Sequence, residues 1–226
     1  LGGHPAIWTD TVDQLPDAPL FLLANEFFDA LPIRQFLRHP EGWSERLVGL
    51  ANDRLAFGLG APLSLAMLEL RLSDTAPGDI VETCQPASSI VARLASIIAT
   101  HGGAALIVDY GDWRSRGDTF QAVRNHQPVD PLAEPGLADL TAHIDFEALA
   151  IAALPCPATA MTPQGVLLER LGITARAQKL GLALTGAALD AHVAAHRRLT
   201  HPEEMGRLFK ALALYAPGSP PPPGFD

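Results

Sequence analysis

Apolar residues along the chain fall into two kinds of run. Ala6-Ile7-Trp8 and Leu20-Phe21-Leu22-Leu23-Ala24 are short continuous blocks that end in polar residues, Thr9-Asp10 and Asn25-Glu26. Both predict strands buried on two faces. Ala104–Val108 is a third such block and ends in Asp109-Tyr110-Gly111. Before it, Ile90, Val91, Leu94, Ile97 and Ile98 repeat at helical spacing from Ser88 until Gly102-Gly103, which predicts a helix with a glycine stop. Helix followed by apolar strand is the alternating signature of an α/β fold.

Between Ile33 and Leu59 the pattern changes. Arg34–Arg38, Trp43–Leu50 and Arg54–Leu59 are separated by Pro40-Glu41-Gly42 and Asn52-Asp53, both turn-forming, and read as an antiparallel meander inserted into the main fold. A loop of about 25 residues, a length that is usually functional, is expected after Gly111. It holds Gly117, Thr119, Asn125, His126 and Asp130. Asp145 is placed to cap a helix over Phe146–Ala153. Pro157–Met161 reads as a strand, Gln164–Leu171 and Ala187–Leu199 as helices, and Phe209–Tyr215 as the last strand. The Pro-rich tail, 217–226, reads as extended. The expected organisation is one α/β domain over 1–226, with the insertion at about 33–75 and the Pro-rich tail at its end.

A hydrophobic fraction of 48% over 226 residues is enough for a sizeable core. No apolar run approaches the roughly 18 to 20 residues of a membrane span. A net charge of -9 without a basic cluster argues against nucleic acid as a partner and suits a basic one. Cys84 and Cys156 have no disulfide or zinc spacing, which fits a reducing compartment. Lys occurs only at Lys179 and Lys210, a hint of a bacterial source.

In open α/β sheets ligands sit beyond the carboxyl ends of the strands, which directs attention to Trp8, Asp10, Asn25, Glu26, Asp109 and Tyr110. Glu26 and Asp29 are three apart in ANEFFDALP and would share one side of a helical turn; a plain cap by Asn25 or Glu26 is the other reading. Asp109 could reach the same crevice or simply accept from the turn at Gly111. His126 could take up a proton, because an unperturbed imidazole titrates near neutrality, or be a surface residue. Asp139 and His143 are four apart, a spacing that mimics metal ligation on a helix, but with no supporting His or Cys cluster local capping explains the aspartates and no metal is expected. Glu82 is a weaker pocket candidate.

Several stretches in order, ANEFFDALPIRQF at 24–36, VDYG at 108–111, GDTFQAVRNHQPVDPL, DLTAHIDF, TPQGVLLERLGI and RLTHPEEMGRLFKAL, resemble the MidA-like methyltransferases associated with assembly of NADH dehydrogenase (complex I). The resemblance covers nearly the whole chain. It implies a class I Rossmann-like fold with strand order 3-2-1-4-5-7-6, in which Ala6–Trp8 would be the third strand and Leu20–Ala24 the fourth. The glycine-rich loop and the acidic residue that grip S-adenosyl-L-methionine (SAM) in such folds would precede Leu1, so on the order of 100 further upstream residues are expected.

The implied function is SAM-dependent methylation of an arginine in a protein, a complex I subunit, in the bacterial cytoplasm or, for a eukaryotic source, the mitochondrial matrix. The implied cofactor contacts are Trp8, Asp10, Asn25 and Glu26. Glu26 and Asp29 would hold the guanidinium, with Asp109 and His126 as further catalytic candidates and Tyr110, Asp139 and His143 on the substrate side. A non-catalytic assembly factor that binds a complex I subunit through the meander and the long loop is the alternative. No GxSxG elbow or Ser/His/Asp arrangement suggests a hydrolase.

Overall fold

A computed structural model describes Gly3 and residues 5–225. In chain order its strands and helices are β1 (Leu20–Asn25), β2 (Arg34–His39), β3 (Gly42–Ala51), β4 (Arg54–Leu59), β5 (Ile80–Thr83), α1 (Gln85–His101), β6 (Gly103–Asp112), β7 (Gln121–Arg124), β8 (Gln127–Val129), β9 (Asp139–Thr141), β10 (Ile144–Asp145), α2 (Phe146–Ala152), β11 (Thr162–Pro163), α3 (Gln164–Arg170), α4 (Ile173–Gly181), α5 (Gly186–Thr200), α6 (Met205–Leu208) and β12 (Phe209–Tyr215). The α/β class expected from the sequence is the observed one.

The chain forms two compact units. The first comprises 1–25, 87–108 and 148–226, the second 26–86 and 109–147. The backbone of the first is the sheet order β1-β6-β12-β11, which is the order expected for the fourth, fifth, seventh and sixth strands of a class I methyltransferase. β1 and β6 are parallel, Leu20 beside Gly103 through Asn25 beside Val108, and β12 is antiparallel to β11. Helix α1 buries Val91, Leu94, Ile97 and Ile98, four of the five positions its sequence spacing names. Each such aliphatic side chain stabilises the core by about 1.5–3 kcal/mol.

Several expectations are corrected in this unit. Ala6–Trp8 is not a strand, and Trp8 is 89% exposed. Among the described residues this three-residue run pairs with no strand, and in the order 3-2-1-4 a third strand is separated from the fourth, here β1, by two others. β1 itself alternates between partly buried and exposed, with Phe21 83% exposed; a continuous apolar run buries both faces only where a layer covers each. Helix α4 was not anticipated. Pro157–Met161 contributes one bridge, Ala158 with Leu214, and the regular pairing begins at Thr162. The tail is not a free extended end: Arg170 donates to the Gly224 carbonyl (3.1 Å), and Pro222, Pro223 and Phe225 line a cleft with Leu167 and Leu171.

The second unit holds the meander, in the order β4-β3-β2-β5 with each neighbour antiparallel. Its core is Phe36, Trp43, Leu68 and Val81, with Leu65 packed against it. The expected 25-residue loop is instead a second small sheet, β8-β7-β9. Its hairpin turns at Asn125-His126, both left-handed (φ 51° and 61°), as a two-residue hairpin turn that follows the strand twist requires. Backbone groups in a long compact segment need partners, and a ladder supplies them.

The helix-to-strand corner at Gly102-Gly103 sets how β6 enters the sheet. Gly103 has φ +109°, and a Cβ there would lie 1.9 Å from the Leu20 carbonyl oxygen. Gly103→Ala is expected to destabilise the chain by about 2 kcal/mol or more through combined strain and overlap, measured by urea denaturation; a loss below about 0.5 kcal/mol would show that this close approach does not constrain the sheet.

Candidate active site

Strand β1 delivers the chain to Glu26, where the backbone turns into the left-handed region (φ 49°). Glutamate tolerates that conformation poorly, and such strain is found where surrounding structure enforces it. No helical turn follows, so Glu26 and Asp29 do not share a face: Glu26 is exposed and Asp29 is buried. A left-handed residue breaks the helical geometry on which that expectation rested.

Asp109 enforces the turn. It is fully buried; its Oδ2 accepts the N–H of Phe28 (3.1 Å) and of Asp29 (3.2 Å), and its Oδ1 accepts the N–H of Tyr110 (2.9 Å). It lies inside β6, which continues to Asp112, and it serves the 28–29 turn rather than Gly111. Burial, then the nearby Asp29 charge, push its carboxyl up to about 7, against the three backbone donors that favour the charged form.

Asp29 is gripped at several atoms. The Tyr110 hydroxyl donates to Oδ2, and the Asp29 carbonyl accepts the N–H of Ala142 (3.0 Å). Oδ1 is shut off from bulk water and has no hydrogen-bond partner among the described residues. Leaving a carboxylate oxygen so is costly, about 1–3 kcal/mol or more, and a cationic ligand would relieve it. Burial, followed by the hydrogen bond to Asp29, raises the Tyr110 phenol above its usual range, with Thr141 opposing; Tyr110 is therefore a neutral donor. The His143 ring packs edge-on against Tyr110 at 5.4 Å, and the His143 N–H donates to Thr119 Oγ1 (2.8 Å).

Asp29 lines a cleft of about 340 Å³. Its other lining residues include Leu31, Val48, Phe57, Phe120 and Leu140, an apolar wall around one carboxylate. Arg46 lines it too but is already engaged, by Asp118 Oδ2 (2.6 Å) and Gln35 Oε1 (3.2 Å), with its guanidinium 3.8 Å from the Phe57 ring centre. The Gln35 amide donates to Glu82 (2.7 Å) and Asp118 (2.8 Å). Glu82 also accepts the N–H (3.0 Å) and the hydroxyl of Thr119, so it is buried and bonded on both oxygens, as a scaffold.

Of the residues singled out in the sequence, Asp29, Asp109, Tyr110 and His143 come together. His126 sits exposed at the β7–β8 turn and takes no part in these hydrogen bonds. Asp139 starts β9, exposed and paired with Val123, so the helical metal-ligand spacing with His143 does not exist. Trp8, Asp10 and Asn25 belong to the first unit and are exposed. Sequence reasoning missed Arg46, Asp118 and Thr141. Arg46 was findable, because the meander register puts it opposite Gln35 on the side away from the apolar core.

Comparison with known proteins gives the site a family context. Residues 2–164 match a family model described as "Putative S-adenosyl-L-methionine-dependent methyltransferase". The chain is similar to the "Protein arginine methyltransferase NDUFAF7, mitochondrial" of Xenopus laevis, 35% identical over 94% of this chain and 49% of the relative, and to its Danio rerio counterpart, 38% identical over 94% and 51%. It thus spans about half the length of the curated relatives it matches. A Burkholderia thailandensis crystal structure bound to S-adenosyl-homocysteine superposes with a TM-score of 0.76 at 28% identity, over 95% of this chain and 56% of that one.

The Asp109 carboxyl gives the structure a pH signature. With a folded-state pKa raised from 3.8 to about 7, the folded chain binds more protons than the unfolded one between those limits, so this contribution is present below about pH 4 and is lost as pH rises towards 7. Each pK unit is worth about 1.4 kcal/mol. Melting temperatures of the parent chain should fall across that window relative to those of Asp109→Asn; parallel profiles would contradict the buried, proton-holding carboxyl.

Proposed function

Since the chain belongs to the S-adenosyl-L-methionine-dependent methyltransferase family, we propose that the protein it comes from transfers a methyl group from SAM to an arginine side chain of a protein. In this reading the substrate is a complex I subunit during assembly and the protein acts in the bacterial cytoplasm or the mitochondrial matrix, a reading supported by the names of its mitochondrial relatives. The observation that supports the arginine reading is Asp29, a carboxylate with one hydrogen-bonded and one unpartnered oxygen, among the residues lining an otherwise largely apolar cleft. A guanidinium is planar, charged at every physiological pH, and carries its charge at the end of an apolar stem; the cleft offers a carboxylate for the first and apolar walls for the second.

SAM supplies an electrophilic methyl carbon on a sulfonium, so the protein's task is to align the nucleophile with it. In this proposal Asp29 binds and orients the guanidinium, Tyr110 holds the Asp29 carboxylate still, and Asp109 positions both through the 28–29 turn. Glu26, exposed and not on the Asp29 side of the turn, has no part in this hold. Trp8, Asp10 and Asn25 are the proposed cofactor contacts, with the meander as a substrate-side insertion.

The test is methyl transfer from labelled SAM to arginine-containing peptides by the full-length protein. Asp29→Asn is expected to lower kcat/KM by about 100-fold or more, the scale of losing a charged group aimed at the reacting centre. SAM affinity should stay within about threefold in the same variant. Undiminished turnover in Asp29→Asn would overturn the assignment, and absence of any SAM-dependent transfer by the parent protein would overturn the function.

A further inference from the structure

The β3–β4 hairpin carries an open edge. The Gly60 N–H donates to the Glu45 carbonyl (2.8 Å), and these residues stand one step beyond the Arg46–Leu59 pair. The alternation of an antiparallel ladder then turns the backbone groups of residues 54, 56, 58 and 60 towards β3, and those of Leu55, Phe57 and Leu59 away from it. Among the described residues β4 ends its sheet. Natural edges are blunted by proline, lysine, bulges or inward charges. Leu55–Leu59 has none of these residues, and the register runs unbroken from Arg46–Leu59 to Ala51–Arg54.

That edge leads into the candidate active site. The two-residue period of paired strands puts Arg46, Val48 and Leu50 on the same face as Leu55, Phe57 and Leu59. Val48 and Phe57 line the Asp29 cleft, while Leu50 is 77% exposed. A second cleft on this face, about 240 Å³, is lined by Leu37, Phe57, Leu59 and Ile80, with Arg46 and Gly58. Phe57 and Arg46 border both clefts. An unpaired edge beside one apolar cleft and one anionic cleft has the parts of strand-addition recognition, in which main-chain bonds give affinity and pockets for alternate side chains give specificity.

We propose that the edge of β4 docks an extended segment of the protein substrate as an added strand, with an arginine side chain in the Asp29 cleft and an apolar neighbour in the Leu37–Ile80 cleft. The proposal rests on the function given above and adds the mode of substrate recognition. Charge complementarity selects the occupant. Asp118 balances Arg46, whereas Asp29, which lines the same cleft, has no ion-pair partner among the described residues, and that favours a segment carrying a cation.

The probe is a synthetic peptide of about nine residues alternating valine and threonine around a central arginine, long enough to pair with all three open residues. Versions are N-methylated at every second amide on one edge, on the other edge, or carry citrulline for arginine. With the full-length protein, one N-methylated version and the citrulline version should bind at least about tenfold more weakly, the other N-methylated version should bind like the parent, and bound parent should slow amide exchange at Leu55, Phe57 and Leu59. Equal binding of the two N-methylated versions, no binding of the parent peptide, or an edge already protected in a dimer of this chain would overturn the docking proposal. Methyl transfer from SAM, measured in the same preparation, separates the two readings: intact transfer with indifferent N-methylation sinks the docking edge alone, and edge-selective binding without transfer sinks the function alone.

Discussion

One buried carboxylate holds the candidate site in shape. Asp109 gathers the backbone N–H groups of Phe28, Asp29 and Tyr110, joining a turn to a strand about 80 residues later. The turn needs this partner: its left-handed entry at Glu26 denies it a helical ladder, and unpaired N–H groups at buried Phe28 and Asp29 would be expensive. The same arrangement sets two carboxyl groups close together away from water, which favours a proton on one of them. Asp109 takes the pinning role, and the geometry it fixes leaves one Asp29 oxygen without a hydrogen-bond partner among the described residues.

Around that pin, the walls of the cleft are tied together by polar side chains. Gln35 on β2, Glu82 on β5 and Arg46 on β3 meet Asp118 and Thr119 in the segment before β7, and Thr119 accepts from His143 after β9. Both small sheets of the second unit are thereby linked through bonds satisfied at most of their atoms, the condition under which buried polar networks rigidify rather than weaken a structure. A cleft built this way is set before a ligand arrives, which lowers the ordering cost of binding.

Elements whose local signals agreed with their surroundings were legible in the sequence. The meander strands, helix α1 with its Gly102-Gly103 stop, α3, α5 and β12 lie where periodicity and turn residues put them. β1 was legible as a strand but not in its burial, since an apolar run does not say which of its faces a second layer covers; Phe21 and Leu23 are exposed. The β7–β9 sheet was hidden because its strands are three or four residues long and mix polar with apolar residues. At the site, Asp29, Asp109, Tyr110 and His143 were named from sequence. What was not readable was their division of labour, because the left-handed step at Glu26 and the pairing of residues 28 and 29 with 109 are tertiary facts.

The account depends on Asp109 holding the turn from a buried, proton-retaining position, and carbon-detected NMR titration of the aspartate side chains tests that directly. The prediction is a carboxyl carbon of Asp109 titrating near 7, with the amides of Phe28, Asp29 and Tyr110 shifting at the same midpoint. A midpoint near the ordinary aspartate value of about 4, with those amides unmoved, would contradict it.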